Sequence, residues 1–271
     1  VKKINEIIHG DSIDILKSYP DNIVHAIISD IPYGISHDDW DVLHKNTNSA
    51  LGGSSLAQEE AGKIFKRRGK PLNGWSNADK NIANEYYEWC LTWCKDWLRV
   101  LKPGGSCLIF AGRRNAHKCI CALEDVGFTF KEMLSWEKSN APYRAQRLSE
   151  IYKRRNDDKN ACKWDGWRVA NPRPLFEPIL WFQKPYKLGG TIANNVLEHG
   201  IGAWNGNILT DNILRYGYEK EDRGLHDTQK PLKLMERLVS LVTIEEQIVL
   251  DPFCGSGTTC LASKNLNRNY I

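Results

Sequence analysis

The sequence predicts an α/β protein built on a doubly wound, mostly parallel sheet. Three observations carry that expectation. Residues 23–28 form a near-continuous apolar run rich in β-branched side chains, as a strand covered on both faces requires. Strand-like and helix-like segments alternate along the chain, the order that βαβ units produce. Near the end, a short apolar run at 248–250 opens into Gly255 and Gly257 and then into a helix. With 271 residues, 41% of them apolar and 26% charged, the chain can bury a large core in one domain spanning 1–271.

Residues 4–8 predict a short strand, followed by Gly10-Asp11 and a helical turn through Ile13, Ile15 and Leu16. The strand at 23–28 ends in Ser29-Asp30-Ile31-Pro32-Tyr33-Gly34, since proline cannot donate to a ladder and Gly34 permits a turn. Between 36 and 82 the periodicity breaks down. Gly52-Gly53-Ser54-Ser55 and the basic run Lys63, Lys66, Arg67, Arg68 and Lys70 predict a long insertion loop with a function of its own. Residues 85–100 show helical spacing, with Tyr86, Trp89, Trp93, Trp97 and Val100 on a stripe whose plainest role is core packing. Lys102-Pro103-Gly104-Gly105 stops that helix.

A buried strand at 106–111, a helix at 115–126 and strands at 128–137 and 177–182 come next. The stretch 139–175 between the last two is basic, with Arg144, Arg147, Lys153, Arg154, Arg155, Lys159, Lys163, Arg168 and Arg173 interleaved with Tyr143, Tyr152, Trp164 and Trp167. Residues 185–225 are glycine-rich and predict loops. A helix at 231–242, a strand at 248–250 and a helix at 258–266 follow. The chain begins at Val1 and stops at Asn269-Tyr270-Ile271, in what looks like the opening of another buried strand. Those two ends predict a portion of a longer polypeptide.

Composition narrows the function. Ten Trp, ten Tyr and seven Phe exclude a disordered chain. No apolar run reaches the roughly 18–20 residues of a membrane span. The charged start Val1-Lys2-Lys3-Ile4-Asn5-Glu6 lacks a secretory pattern, so a cytoplasmic location is expected. A net charge of +4 is too mild to establish nucleic-acid binding, and the placement of the charge must decide. The eight Cys include no CxxC pair, which predicts reduced, mostly buried thiols and no metal site.

Three segments carry candidate chemistry. Asp251-Pro252-Phe253-Cys254-Gly255-Ser256-Gly257-Thr258-Thr259 joins a strand to a helix, so its glycines allow close backbone approach and the helix N-terminus offers free N–H groups. No Lys precedes the Ser or Thr, which argues against a phosphate-binding Walker loop. Asp30-Ile31-Pro32-Tyr33 lies at the carboxyl end of a strand, where open α/β sheets bind ligands. There the Asp30 carboxylate and the Ile31 carbonyl can accept from an exocyclic amine while Tyr33 stacks on a planar base. His226-Asp227-Thr228-Gln229-Lys230-Pro231 precedes a helix, and its hydroxyl and ammonium can hold a cofactor carboxylate. Each segment also has a plain structural reading: a tight turn, an exposed acid, a helix cap.

Taken in this order, the segments resemble the β-class amino-methyltransferases of DNA, which use S-adenosylmethionine. Asp30, Pro32 and Tyr33 match the family's D-P-P-Y tetrapeptide, with Ile31 in place of the first proline. Residues 226–231 look like its H-P-T-Q-K-P, with Asp227 in place of proline, and residues 251–259 look like its D-P-F-x-G-S-G-T-T. Gly10-Asp11, the 101–105 helix stop, Trp136-Glu137-Lys138 and Glu177-Pro178-Ile179-Leu180 are similar to further family segments.

The resemblance implies a circularly permuted, Rossmann-like seven-stranded fold with DNA-binding insertions. It implies a catalytic set of Asp30, Ile31, Pro32 and Tyr33. The implied cofactor-facing set is Asp11, Asp30, His226, Thr228, Gln229, Lys230 and residues 251–258. Double-stranded DNA is the implied partner, with the target base flipped out and phosphates held by Lys66, Arg67, Arg68, Lys138, Arg144, Arg147, Lys153, Arg154 and Arg155. The stretches 139–175 and 185–225 are the implied target-recognition regions. An acid that holds the cofactor ribose would follow Ile271. Transfer to adenine N6 is favoured because the family's cytosine enzymes usually start the tetrapeptide with Ser. N4-cytosine transfer and a catalytically silent nucleic-acid-binding protein stay open as alternatives. A homodimer and a cognate restriction endonuclease are compatible with the family and unmarked in the sequence.

Overall fold

The computed structural model describes residues 4–34, 77–139, 141, 145–169, 171–219 and 229–271. Lys66, Arg67, Arg68, Arg144, His226 and Thr228 lie outside the described residues. In chain order the elements are α1 (Ser12–Lys17), β1 (Val24–Asp30), α2 (Asn77–Val100), β2 (Leu101–Phe110), α3 (Ala116–Val126), β3 (Thr129–Glu137), β4 (Gln146–Arg147), α4 (Leu148–Lys153), α5 (Asp158–Lys163), β5 (Arg168–Val169), β6 (Phe176–Gln183), α6 (Ile192–His199), β7 (Ile213–Arg215), α7 (Leu232–Val242), β8 (Ile248–Leu250), α8 (Thr258–Asn265) and β9 (Asn269–Tyr270).

Among the described residues seven strands form one sheet in the order β7-β3-β6-β2-β1-β8-β9. Every neighbouring pair is parallel except the two made by β6, which runs antiparallel between β2 and β3. The central strands alternate between two apolar layers. Cys107, Ile109, Leu180 and Phe182 face α1, α2 and α3, while Leu108, Phe110, Ile179 and Trp181 face α7. Burial on both faces is why these strands read as unbroken apolar runs. The aromatic stripe of α2 is core, as its spacing predicts: Tyr86, Trp93, Trp97 and Val100 are all buried. Each such side chain contributes roughly 1.5–3 kcal/mol of burial.

Several expectations are corrected. Residues 4–8 are extended but form no strand. Asn5 adopts a left-handed backbone at φ 63°, and the segment makes its backbone bond to the last strand through Asn5 N–H and the Tyr270 carbonyl at 2.8 Å. The seventh strand is instead β7, inside the stretch read as loop. Helix α6 also lies there, capped by Thr191 and ended by Gly200 at φ 66°. Helix α2 starts at Asn77, so the last residues of the expected 36–82 insertion are helical. Strand β2 starts at Leu101, directly after that helix. The Lys102–Gly105 stop becomes a bulge, because Val24 pairs Leu101 while Ala26 pairs Ser106.

Between β3 and β6 the chain makes a small lobe. The short strands β4 and β5 pair antiparallel at its neck and α4 and α5 fill it, so the described part of the basic stretch carries its own secondary structure. Among the described residues no helix is long and apolar enough to cross a membrane.

The arrangement fixes where a ligand can sit. From β1 the chain crosses through α2 to β2 on one side; from β8 it crosses through α8 to β9 on the other. Strand order therefore reverses between β1 and β8, and the crevice outside their carboxyl ends is the switch point at which open sheets bind ligands. Because β6 is antiparallel, its first residues arrive at that same edge.

Candidate active site

All three candidate segments reach this crevice, the third through Lys230. Ile27 of β1 pairs Leu250 of β8, so Asp30 and Asp251 leave the sheet from adjacent strands. Ser29 joins them: its hydroxyl donates to Asp251 Oδ1 at 2.6 Å. Asp251 also accepts from Thr259 Oγ1 at 2.5 Å and from the Phe253 N–H at 3.2 Å. The carboxylate thus ties the turn to β1 at one end and to α8 at the other. Burial pushes its carboxyl up to about 6, against the pull of those donors and with a further push from Asp30.

The turn itself is built for close approach. Gly255 at φ 52° and Gly257 at φ 78° occupy the left-handed region, and Gly257 sits at the N-cap of α8. Gly255 and Ser256 are exposed, so their backbone is open to a ligand. Phe253 is an anchor, its ring packing on Trp89, Trp93 and Trp97 with centroids 5.8, 6.1 and 5.9 Å away. Cys254 is partly buried, its thiol lowered by a hydrogen bond with Cys260 at 3.7 Å. Ile7 passes within 3.4 Å of where a side chain at Gly257 would begin, which brings the segment before Asp11 alongside the turn. Asp11 caps α1, accepting from the Ile13 N–H at 2.8 Å.

Around Asp30 the structure gathers a cluster that sequence reasoning read only in part. The ammonium of Lys230 donates to Asp30 Oδ2 and lies 3.8 Å from Glu177 Oε2. Tyr33 donates its hydroxyl to the same Glu177 oxygen at 3.1 Å, and Lys138 pairs with the other one. Two cations of the expected site residues lie in this cluster. Lys230, expected at a cofactor carboxylate, is buried against Asp30. Lys138, expected on DNA phosphate, is held by Glu177 and covered by the Trp136 ring at 4.9 Å.

Glu177 entered the sequence reading only as part of a family-like segment. An acid in the otherwise apolar run Phe176-Glu177-Pro178-Ile179-Leu180 was the available signal. Burial would raise its carboxyl, but Lys230 and Lys138 outweigh that and hold it below the ordinary range. For Asp30 the balance goes the other way. Burial raises it, Lys230 opposes, and Glu177 adds to the rise.

The Asp30-Ile31-Pro32-Tyr33 segment is braced from α2 and from the loop before α3. Tyr86 donates its hydroxyl to the Pro32 carbonyl at 2.8 Å, and Asn115 donates to the Tyr33 carbonyl at 2.9 Å. A side chain at Gly112 would meet the Tyr33 Cβ at 2.8 Å, so glycine is required for this close approach. Neither Tyr86 nor Asn115 was legible as a site residue, since one reads as core and the other as a cap. Two buried oxygens, Asp30 Oδ1 and Gln229 Oε1, have no hydrogen-bond partner among the described residues. Each is an unfilled acceptor, which in a native fold calls for a ligand or solvent. Among the described residues no cluster of His, Cys, Asp and Glu could hold a metal.

Against known proteins, a profile of the N6/N4 type described as DNA methylase matches residues 24–271. The Type II methyltransferase M.HindIII of Haemophilus influenzae is 59% identical over 279 residues, covering 99% of this chain and 90% of that protein. The chain belongs to the N6/N4 DNA methylase family. Solved structures of DNA methyltransferases agree in fold. The crystal structure of an M1.HpyAVI–SAM complex superposes with a TM-score of 0.53 at 25% identity, covering 97% of this chain and 90% of that one. The cytosine-N4-specific PvuII DNA methyltransferase gives 0.56 at 17% identity, covering 97% and 78%, a likeness of fold. In this N6/N4 DNA methylase the permuted order seen in the sequence has a plain structural meaning. The glycine turn at the C-terminal end of the chain is set beside β1 by the β1–β8 pairing.

Proposed function

We propose that this protein transfers the methyl group of S-adenosylmethionine to the N6 amine of adenine in a specific sequence of double-stranded DNA. The observation that carries the reading is Asp30 Oδ1, which has no hydrogen-bond partner among the described residues and lies one strand away from the exposed 255–256 turn. The residues present fit the cofactor. Free N–H groups at the start of α8, two positive-φ glycines and the unfilled Gln229 Oε1 suit a polar ligand with a carboxylate and hydroxyls. Residues 251–258, Asp11 and Gln229 would hold it. When bound, it supplies a methyl group activated by the neighbouring sulfonium.

The chain's own residues do the rest. The lone pair of an aromatic amine is delocalised into its ring. Acceptors at Asp30 Oδ1 and the Ile31 carbonyl favour the pyramidal nitrogen that develops at the transition state, a differential-binding effect. Asp30 Oδ1 is then available to take the proton that the methylated amine sheds. Tyr33, with its hydroxyl fixed on Glu177, presents a ring face for the flipped base, whose extrusion costs a few kcal/mol. Asp at the head of the tetrapeptide favours adenine over cytosine, since the family's cytosine enzymes usually carry Ser there. The deciding experiment is nucleoside mass spectrometry of plasmid DNA treated with the protein and methyl-deuterated cofactor. Labelled N6-methyladenine is expected, and label confined to N4-methylcytosine, or absent, overturns the reading.

For DNA contact the lobe between β3 and β6 is the favoured surface. Arg147, Lys153, Arg154 and Arg155 are exposed on it, with Lys153 3.3 Å from Glu150. Replacing Arg154 and Arg155 together by Ala is expected to weaken DNA binding at low salt. It should also flatten the slope of log affinity against log salt by about 2. Fluorescence anisotropy across a salt series measures this, and an unchanged slope would place the phosphates elsewhere.

A further inference from the structure

The Asp30 cluster holds more than a methyl-transfer site needs at first sight. Two carboxylates and two ammonium groups meet where β1, β3, β6 and the start of α7 converge. The Lys230 side chain is only 7% exposed and its ammonium is enclosed by rings. Phe110, Tyr33 and Trp136 have centroids 5.1, 5.5 and 6.0 Å from it. A cation enclosed in that way is committed to its partners and is poorly placed to reach out to a small ligand. The two carboxylates it touches differ in what remains to them. Glu177 is spent on both sides, one oxygen on Lys138 and the other shared by Tyr33 and Lys230. Asp30 gives Oδ2 to Lys230, and its Oδ1 has no hydrogen-bond partner among the described residues.

We propose that Lys230 and Glu177 are positioning residues for Asp30. Lys230 fixes Oδ2 and keeps the buried carboxylate charged, Glu177 anchors both Lys230 and Tyr33, and Oδ1 is thereby left turned toward the incoming amine. The inference rests on the proposed role of Asp30 and replaces the expectation that Lys230 serves the cofactor. The charged and titratable groups that bear on Asp30 are Lys230 ahead of α7, Glu177 on β6, Tyr33 after β1 and Asp251 after β8, with Lys138 acting through Glu177. An isolated buried carboxylate would take up a proton and lose its acceptor character; the ammonium opposes that and the second carboxylate promotes it.

The two partners therefore have opposite signatures. Lys230→Met removes the cation, so the acid limb of the kcat profile should move to higher pH by about one to three units. Glu177→Gln removes a neighbouring negative charge, so the limb should move to lower pH. Lys230→Arg keeps the charge and should restore the limb even if turnover stays reduced. Equilibrium binding of S-adenosylmethionine should change little in Lys230→Met. A readout that needs no turnover is carbon-13 carboxyl NMR of Asp30 in the protein without cofactor, whose titration midpoint should move in the same two directions. If Lys230→Met instead loses cofactor affinity tenfold or more with an unmoved Asp30 titration, the ammonium serves the cofactor and the inference is overturned. If both variants shift Asp30 in the same direction, the cluster is merely structural and the inference is likewise overturned. Should the wild-type protein methylate no DNA while the opposite NMR shifts appear, the electrostatic assignment stands and the proposed reaction fails.

Discussion

Asp30→Ala should reduce methyl transfer by roughly 10³-fold or more while leaving S-adenosylmethionine binding close to that of the wild type. The substitution deletes Oδ1, a buried acceptor with no hydrogen-bond partner among the described residues, and spares the donors and glycines that build the 255–257 turn one strand away. It also strips Lys230 of its closest partner, leaving the ammonium with Glu177 3.8 Å away. A buried charge losing a partner costs stability, so a second variant is needed. Asp30→Asn keeps the volume and one carbonyl oxygen, and should fold well while remaining nearly inactive because its amide is a weaker acceptor. Single-turnover kinetics with saturating DNA and calorimetric titration of the cofactor separate the two quantities. Turnover near normal in both variants would remove Asp30 from the reaction.

The contrast between Asp30 and Lys230 marks what a linear sequence reveals. Asp30 was legible because its neighbours say where it is. An apolar run that can only be a covered strand ends in Pro32 and Gly34, and the ends of such strands are where ligands bind. The 251–259 turn was legible for the same local reason. The pairing of Lys230 with Asp30 was not legible, because a cation's partner is settled by tertiary folding. Asp30 lies 200 residues away in sequence, and Glu177 reaches the same edge only because β6 runs antiparallel.

The fold divides similarly. The stripe of α2 and the runs of β1, β2 and β8 announce themselves through period and burial. Strand β7 has three residues on the sheet's edge and no pattern to detect. Residues 4–8 carry a strand's composition, yet Asn5 turns left-handed there. Helix α6 was readable in principle, from Thr191 at its start and Gly200 at its end, and was hidden by the glycines around it.

Asp251 gives the second large expected effect, and it couples stability to function. Its side chain accepts from Ser29, Thr259 and Phe253, so Asp251→Ala leaves the two buried hydroxyls unmatched at about 1–3 kcal/mol each, while the Phe253 N–H keeps Ser29 Oγ at 3.3 Å. Loosening the turn at both ends should weaken cofactor binding by about 10- to 100-fold. Asp251→Asn probes the charge alone. In the folded protein this carboxyl titrates at about 6, above the ordinary 3.8, so between those values the folded state binds more protons than the unfolded chain. Stability must then fall as pH rises through that window, and at neutral pH the ionised form costs roughly 3 kcal/mol, about two units at 1.36 kcal/mol each. Asparagine cannot ionise. The variant should therefore be the more stable protein at pH 7.5, lose that advantage near pH 4, and still bind cofactor less well, because a neutral amide holds the two hydroxyls and the N–H less firmly. Asp30, whose carboxyl is also raised, contributes in the same direction; because the two carboxylates repel, Asp251→Asn also eases the ionisation of Asp30, which adds to the variant's advantage at pH 7.5. Urea unfolding of wild type and variant at pH 4, 5.5 and 7.5 measures the difference. A pH dependence identical in the two would mean that Asp251 is ionised without penalty, and that the hold of the turn on β1 owes nothing to its charge.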